Sequence, residues 1–171
     1  TQDNHIREGC VCTMSKDRFA VDALEFATKA HAGQKRDGGE DYIMHPIRVA
    51  LKVGSYWKDM GDADELQDYQ QAALLHDVVE ETDTTINDLV EYGFDPYVIE
   101  HVDALTRKPY QSYFMYIDDV AEGHPFSHAL TLIKKADIWD NYKTATDSMK
   151  ERYDKAVRIL SYKQLSSASE L

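Results

Sequence analysis

The run Ala72-Ala73-Leu74-Leu75-His76-Asp77-Val78-Val79-Glu80-Glu81-Thr82 sets an adjacent His-Asp pair inside an apolar stretch and an adjacent Glu-Glu pair one turn later. On a helix, His76 with Glu80 and Asp77 with Glu81 stand at i,i+4 on neighbouring strips of one surface. An imidazole and a carboxylate suit part of a divalent metal site, and two further carboxylates a turn away can handle protons or orient a water. The same residues also fit a buried His-Asp pair that satisfies its own hydrogen bonds, with Glu80 and Glu81 solvated at a helix end. In Ile43-Met44-His45-Pro46, Pro46 suits the first turn of a helix and His45 stands at its mouth. Asp137 lies between inward-reading Ile133 and Trp139 and is costly to bury unless a cation meets it. A metal would do so, as would Lys134. Taken together, His45, His76, Asp77 and Asp137 offer mixed N/O ligation from three helices, which suits Mn²⁺ or Fe²⁺ more than a closed structural zinc site.

The elements that must position these groups read as helices. A first helix starts near Ser15, with Phe19, Leu24, Phe26, Ala27 and Ala30 as its apolar face and Gly33 as its stop. A charged loop, Gln34 to Tyr42, carries Arg36 and two glycines toward His45. Ile47, Val49, Ala50, Val53 and Trp57 continue a second helix. After a break at Gly61-Asp62, the central helix is expected from about Glu65 to Glu80. Short helices follow from Ile86 to Gly93, from Asp95-Pro96 to Leu105, and from Ser112 to Glu122. A long helix is expected from Ser127 to about Thr146 with Trp139 inward, and a last one from about Lys150 to Leu165. Arg107 and Lys108 fit either a phosphate contact or a helix end with favourable dipole charge. His124 and His128 read as structural or exposed. No strand pair is convincing, so the expected fold is all-α, with about seven or eight helices in one domain.

The totals agree with a single domain. The chain has 171 residues, 43% of them hydrophobic, and no apolar run near the roughly 18 residues that suggest a membrane span. A net charge of -12 argues against a general nucleic-acid surface, which is usually basic. It leaves room for a small phosphorylated substrate, because a bound cation and a few lysines reverse the local field. Cys10 and Cys12 give no disulfide framework, and no basic-plus-apolar signal opens the chain, so a cytoplasmic protein is expected. Residues 1–13 lack any period and precede Met14; they are expected to be a disordered extension or an expression remnant, with one domain over 14–171.

The ordered set of motifs resembles the HD-domain metal-dependent phosphohydrolases, specifically the (p)ppGpp hydrolase domain of the Rel/Spo homologues and the small alarmone hydrolases. The resemblance is carried by His31-x-Gly33-Gln34-x-Arg36, Gly39-Glu40-x-Tyr42-x-x-His45-Pro46, Ala73 to Thr82, Ala104-Leu105-Thr106 and Lys134-x-Ala136-Asp137-x-x-x-Asn141. It implies an HD-domain helical bundle, with His45, His76, Asp77 and Asp137 as metal ligands and Mn²⁺, or another divalent cation, as cofactor. It implies that Glu80 and Glu81 activate the attacking water and manage protons. Arg36 would pack on the purine, and Lys134, Asn141 and Thr144 complete the expected substrate-binding set. The implied reaction removes the 3′-pyrophosphate of ppGpp or pppGpp, with a small nucleotide as partner and no nucleic acid or membrane; the oligomeric state is left open. No synthetase domain is expected on this chain. Three positions depart from the family pattern: Glu81 stands for the usual Asp, Asp37 for a frequent Lys, and Ile138-Trp139-Asp140 for a frequent Arg-Leu-His. These leave two other readings, an HD phosphohydrolase for an adenosine alarmone or for the 2′-phosphate of NADPH, and a nucleotide-binding module without turnover.

Overall fold

Apolar residues at three- and four-residue spacing give each helix of this chain one stripe to bury. The computed structural model describes residues 17–57 and 63–168. Among the described residues there are nine helical segments and no β-strand: α1 (Asp17–Ala30), α2 (Met44–Trp57), α3 (Ala63–Leu75), α4 (Val78–Glu81), α5 (Ile86–Tyr92), α6 (Pro96–Leu105), α7 (Tyr113–Glu122), α8 (Ser127–Asn141) and α9 (Asp147–Ala168). Counting α4 as a last turn of α3 returns the expected eight. None of these helices is long and apolar enough to cross a membrane. The expected extension at 1–13, the cap at Ser15, the Phe19 side chain and the break at Gly61-Asp62 lie outside the described residues.

The bundle is built on α3, which packs against α1, α2 and α6, while α2 also lies on α8 and α7 packs on both α8 and α9. Small residues set these distances. Ala72 and Ala73 of α3 and Ala23 and Ala27 of α1 are fully buried beside Val49 and Val53 of α2, and short side chains let helix axes approach closely. Close approach is what brings the mouth of α2 to the end of α3. Local signals stop and start the other helices as the sequence predicts. Thr85 and Asp88 form a reciprocal capping box on α5, Asp95 caps α6 with Pro96 at its first turn, and Ser112 caps α7. Between α1 and α2, Gly38 and Gly39 adopt φ of 97° and 87°, which permits the turn that brings Arg36 N–H onto the Glu40 carbonyl.

Four expectations change. The central helix does not run through to Glu80: it ends at Leu75, and His76 and Asp77 form a turn before α4. The cause lies in His76 itself, whose Nδ1 donates to the Ala73 carbonyl at 2.8 Å, the acceptor that Asp77 N–H would use in a continuing helix. The long helix α8 ends at Asn141 rather than Thr146, because Lys143 N–H and Thr144 N–H turn onto the Asp140 and Asn141 carbonyls three residues back. Trp139 points outward, 40% exposed, with the ammonium groups of Lys143 and Lys52 at 3.7 and 4.8 Å from its ring. On α1, Leu24 is likewise at the surface, and Ala23 takes the core position.

Candidate metal and substrate site

His45 enters from the first turn of α2, His76 and Asp77 from the turn that ends α3, and Asp137 from the inner face of α8. His45, His76 and Asp137 are buried, and the Asp77 side chain is 18% exposed. His45 Nε2 lies 3.4 Å from Asp77 Oδ2 and 3.2 Å from Asp137 Oδ1. His76 Nε2 lies 3.1 Å from Asp77 Oδ1 and 3.8 Å from Asp137 Oδ1. His45, His76 and Asp137 each present one ligand atom within 4.8 Å of the others. The structure thus brings together all four residues singled out from sequence.

The arrangement fits a divalent cation. The Nδ1 of His45 meets Asp140 Oδ2 at 2.9 Å and that of His76 meets a backbone carbonyl. Both partners are acceptors, so each Nδ1 carries the proton and each Nε2 faces the cluster. His76 Nε2 is buried without a hydrogen-bond partner, a lone pair facing carboxylate oxygens that a cation would satisfy. Charge points the same way. Burial alone pushes the His45 imidazole down, yet the carboxylates of Asp137, Asp140 and Asp77 raise it to about 10. Asp137 is pushed up by burial and brought well below the usual carboxylate range by Lys134, at 2.6 Å, and by the two imidazoles. Asp77 also ends low, its burial outweighed by His76 and His45.

A pH dependence follows. The His45 folded pKa is raised above its ordinary 6.5, so the stability its proton lends the metal-free protein is fully present below about 6.5 and is lost as pH rises through about 10. A cation competes for the same Nε2, so metal affinity is expected to rise across that window, with about one proton released per ion at pH 8. Calorimetry in buffers of different ionisation enthalpy reads this number. Metal uptake without proton release would contradict it.

Lys134, Asn141 and Glu81 stand next to these four residues, and Arg36 is joined to them through Asn141. Glu81 is raised by burial and then by the neighbouring Asp77 and Glu80 carboxylates, and its backbone carbonyl accepts from Gln34 Nε2 at 2.7 Å. Glu80 accepts from the Arg107 backbone N–H at 3.3 Å and faces its guanidinium at 3.8 Å. Both glutamates border a polar cleft of about 730 Å³ that also includes Gln34 and Asp83. Arg36, its side chain 16% exposed, donates to Asn141 Oδ1 at 2.6 Å and to Asp140 Oδ2 at 3.3 Å. Asn141 in turn donates to Asp137 Oδ1 at 2.6 Å, so one amide bridges Arg36 and the metal cluster. Lys134 is turned inward onto Asp137 and over the Tyr116 ring. Thr144 is exposed in the turn after α8. Lys108 bonds the Asp103 carboxylate and carbonyl at the end of α6, the helix-end role.

Three participants went unassigned in the sequence. Tyr42 donates its hydroxyl to Asp77 Oδ2 at 2.8 Å while its ring stacks on His31. Asp140 holds His45, and Arg48 holds Asp140 through Nε at 2.7 Å and Nη2 at 3.0 Å. A signal for the last two exists: Arg48 is three residues after His45 and Asp140 three after Asp137, each pair on one helix face.

An HD domain family model matches residues 23–121. The chain is similar to the guanosine-3′,5′-bis(diphosphate) 3′-pyrophosphohydrolase of Aquifex aeolicus, with 35% identity over 130 residues, 71% of this chain and 17% of that protein. It is similar to the enzyme of that name from Vibrio cholerae, 41% identical over 47% of this chain and 10% of the relative. It also resembles the bifunctional (p)ppGpp synthase/hydrolase SpoT of Escherichia coli, 40% identical over 47% of this chain and 10% of the relative. The chain therefore spans a small part of these relatives. A solved structure, described as a metazoan ortholog of SpoT that hydrolyzes ppGpp and plays a role in starvation responses, superposes with a TM-score of 0.66 at 24% identity. It covers 85% of this chain and 84% of its own, and shows the shared fold. With the family model matching more than half of its length, this chain belongs to the HD domain family.

Proposed function

We propose that this chain is a metal-dependent phosphohydrolase that removes the 3′-pyrophosphate from ppGpp and pppGpp, leaving GDP and GTP. The observation that carries the reading is the convergence of His45, His76, Asp77 and Asp137 on one point. It occurs in an HD domain whose similar proteins bear the 3′-pyrophosphohydrolase name. Those four residues would hold the cation, and Mn²⁺ is the ion we assign. When bound, it lowers the pKa of water and screens phosphate charge. Glu80, facing Arg107, takes the proton of the attacking water, whose oxygen bonds to the phosphorus nearest the ribose. Glu81, whose carboxyl is pushed up by burial and by its carboxylate neighbours, is the group we assign to pass a proton to the ribose 3′-oxygen as the P–O bond breaks. Arg36, fixed by Asn141 and Asp140, presents its flat guanidinium to the purine. Lys134 keeps Asp137 ionised beside the phosphates, and Thr144 lines the outer edge of the nucleoside site. The reading places the protein in the cytoplasm, with its nucleotide.

A second substrate reading stays open on one observation. Asp37 is exposed and follows Arg36 in the chain, a carboxylate next to the purine-facing guanidinium that favours a less highly charged nucleotide such as NADPH. Turnover of ppGpp, an adenosine alarmone and NADPH side by side tests both. Cleavage of ppGpp at the highest kcat/KM supports the first reading; cleavage of another nucleotide with ppGpp untouched overturns it.

A further inference from the structure

We propose that Asp140 is a positioning residue that couples the metal ligand His45 to the purine-facing Arg36. This rests on the reading of His45 as a ligand. Asp140 is 2% exposed, and an isolated carboxylate at that depth is costly. Its oxygens receive His45 Nδ1 at 2.9 Å, Arg48 Nε at 2.7 Å and Nη2 at 3.0 Å, Arg36 Nη1 at 3.3 Å and Lys143 Nζ at 2.9 Å. Those donors come from α2, from the loop before it and from the turn after α8. Two consequences follow from the geometry. The imidazole is held with its Nδ1 proton on Asp140, which leaves Nε2 for the cation and strengthens it as a donor. The guanidinium of Arg36 is held between Asp140 and Asn141, so its orientation is set before substrate arrives.

The loop that carries Arg36 is tied to the same point from its other end. Arg48 forks Glu40 with Nη1 and Nη2, both at 2.8 Å, while its Nε and Nη2 reach Asp140. Glu40 and Arg36 are joined by a backbone hydrogen bond across the glycine turn. Loop, metal ligand and α8 therefore meet at one carboxylate. Loss of its charge is expected to loosen both sides together.

Asp140→Asn keeps the size and an acceptor for His45 but removes the charge that gathers the cations. In the full chain, Mn²⁺ affinity is expected to fall by about 10–100-fold, measured without substrate by calorimetry. At saturating Mn²⁺, KM for ppGpp is expected to rise about tenfold, the loss of one charge-assisted hydrogen bond, with kcat changed less than about threefold. A residue that merely clamps the fold would lower the melting temperature and leave Mn²⁺ affinity and KM within about twofold, and that result overturns the proposal. If the variant does not fold, the Zn²⁺-loaded wild type decides. Long-range ¹H–¹⁵N spectra are expected to find the His45 proton on Nδ1, and a proton on Nε2 overturns the assignment. Failure of the wild type to cleave ppGpp would sink the substrate reading alone, since Mn²⁺ affinity and the imidazole tautomer still test Asp140. Failure of the wild type to bind Mn²⁺ would sink the metal site and this coupling with it.

Discussion

Glu80→Gln is expected to lower kcat for ppGpp by about 10²–10⁴-fold while Mn²⁺ affinity stays within about threefold. The substitution keeps size and hydrogen-bonding shape and removes the ability to accept a proton. Glu80 is outside the group of four that converges on the cation position, and its carboxylate faces Arg107 instead. Loss of turnover with metal retained therefore separates proton transfer from metal binding. Metal content by mass spectrometry and steady-state rates on the same preparation read both quantities. Equal rates in variant and wild type would show that Glu80 has no part in the chemistry and that the acidic pair was given the wrong task.

His76→Ala is expected to abolish activity by the other route. Removing an outer partner of a metal ligand already costs about 10–100-fold in affinity, so loss of the ligand itself should cost more. In the presence of Mn²⁺ the variant should also be less stable than the wild type, because Asp77 and Asp137, 3.1 and 3.8 Å from His76 Nε2, would face each other without the cation that offsets their charge. Thermal denaturation separates the two effects. Adding Mn²⁺ should raise the melting temperature of the wild type, since a ligand that binds the folded state stabilises it, and leave that of the variant unmoved. Full metal occupancy in His76→Ala would contradict the ligand set.

Much of this site could be read from sequence because its parts are local signals. His45 follows from Pro46 in a first helical turn, His76-Asp77 from an ionisable pair inside an apolar run, and Asp137 from a carboxylate among inward positions. The caps at Thr85, Asp95 and Ser112 act within three residues of themselves, so the starts of α5, α6 and α7 were readable too. The break after Leu75 was not, because it depends on a histidine side chain competing for a backbone carbonyl against the helix ladder. Periodicity cannot report that competition. Asp140 was noticed only as a departure from a pattern, since its partner His45 is 95 positions away and only the packing of α2 on α8 joins them. Trp139 reads as core by type, yet two lysines over its ring compensate its exposure.

The most direct measurement is hydrolysis of ppGpp by chelator-treated protein before and after Mn²⁺ is restored, with the products separated and identified. The account predicts no turnover without metal and, on adding it back, one pyrophosphate and one GDP for each ppGpp consumed. Retention of ppGpp by folded, Mn²⁺-loaded protein, or release of phosphate from the 5′ end, would contradict it.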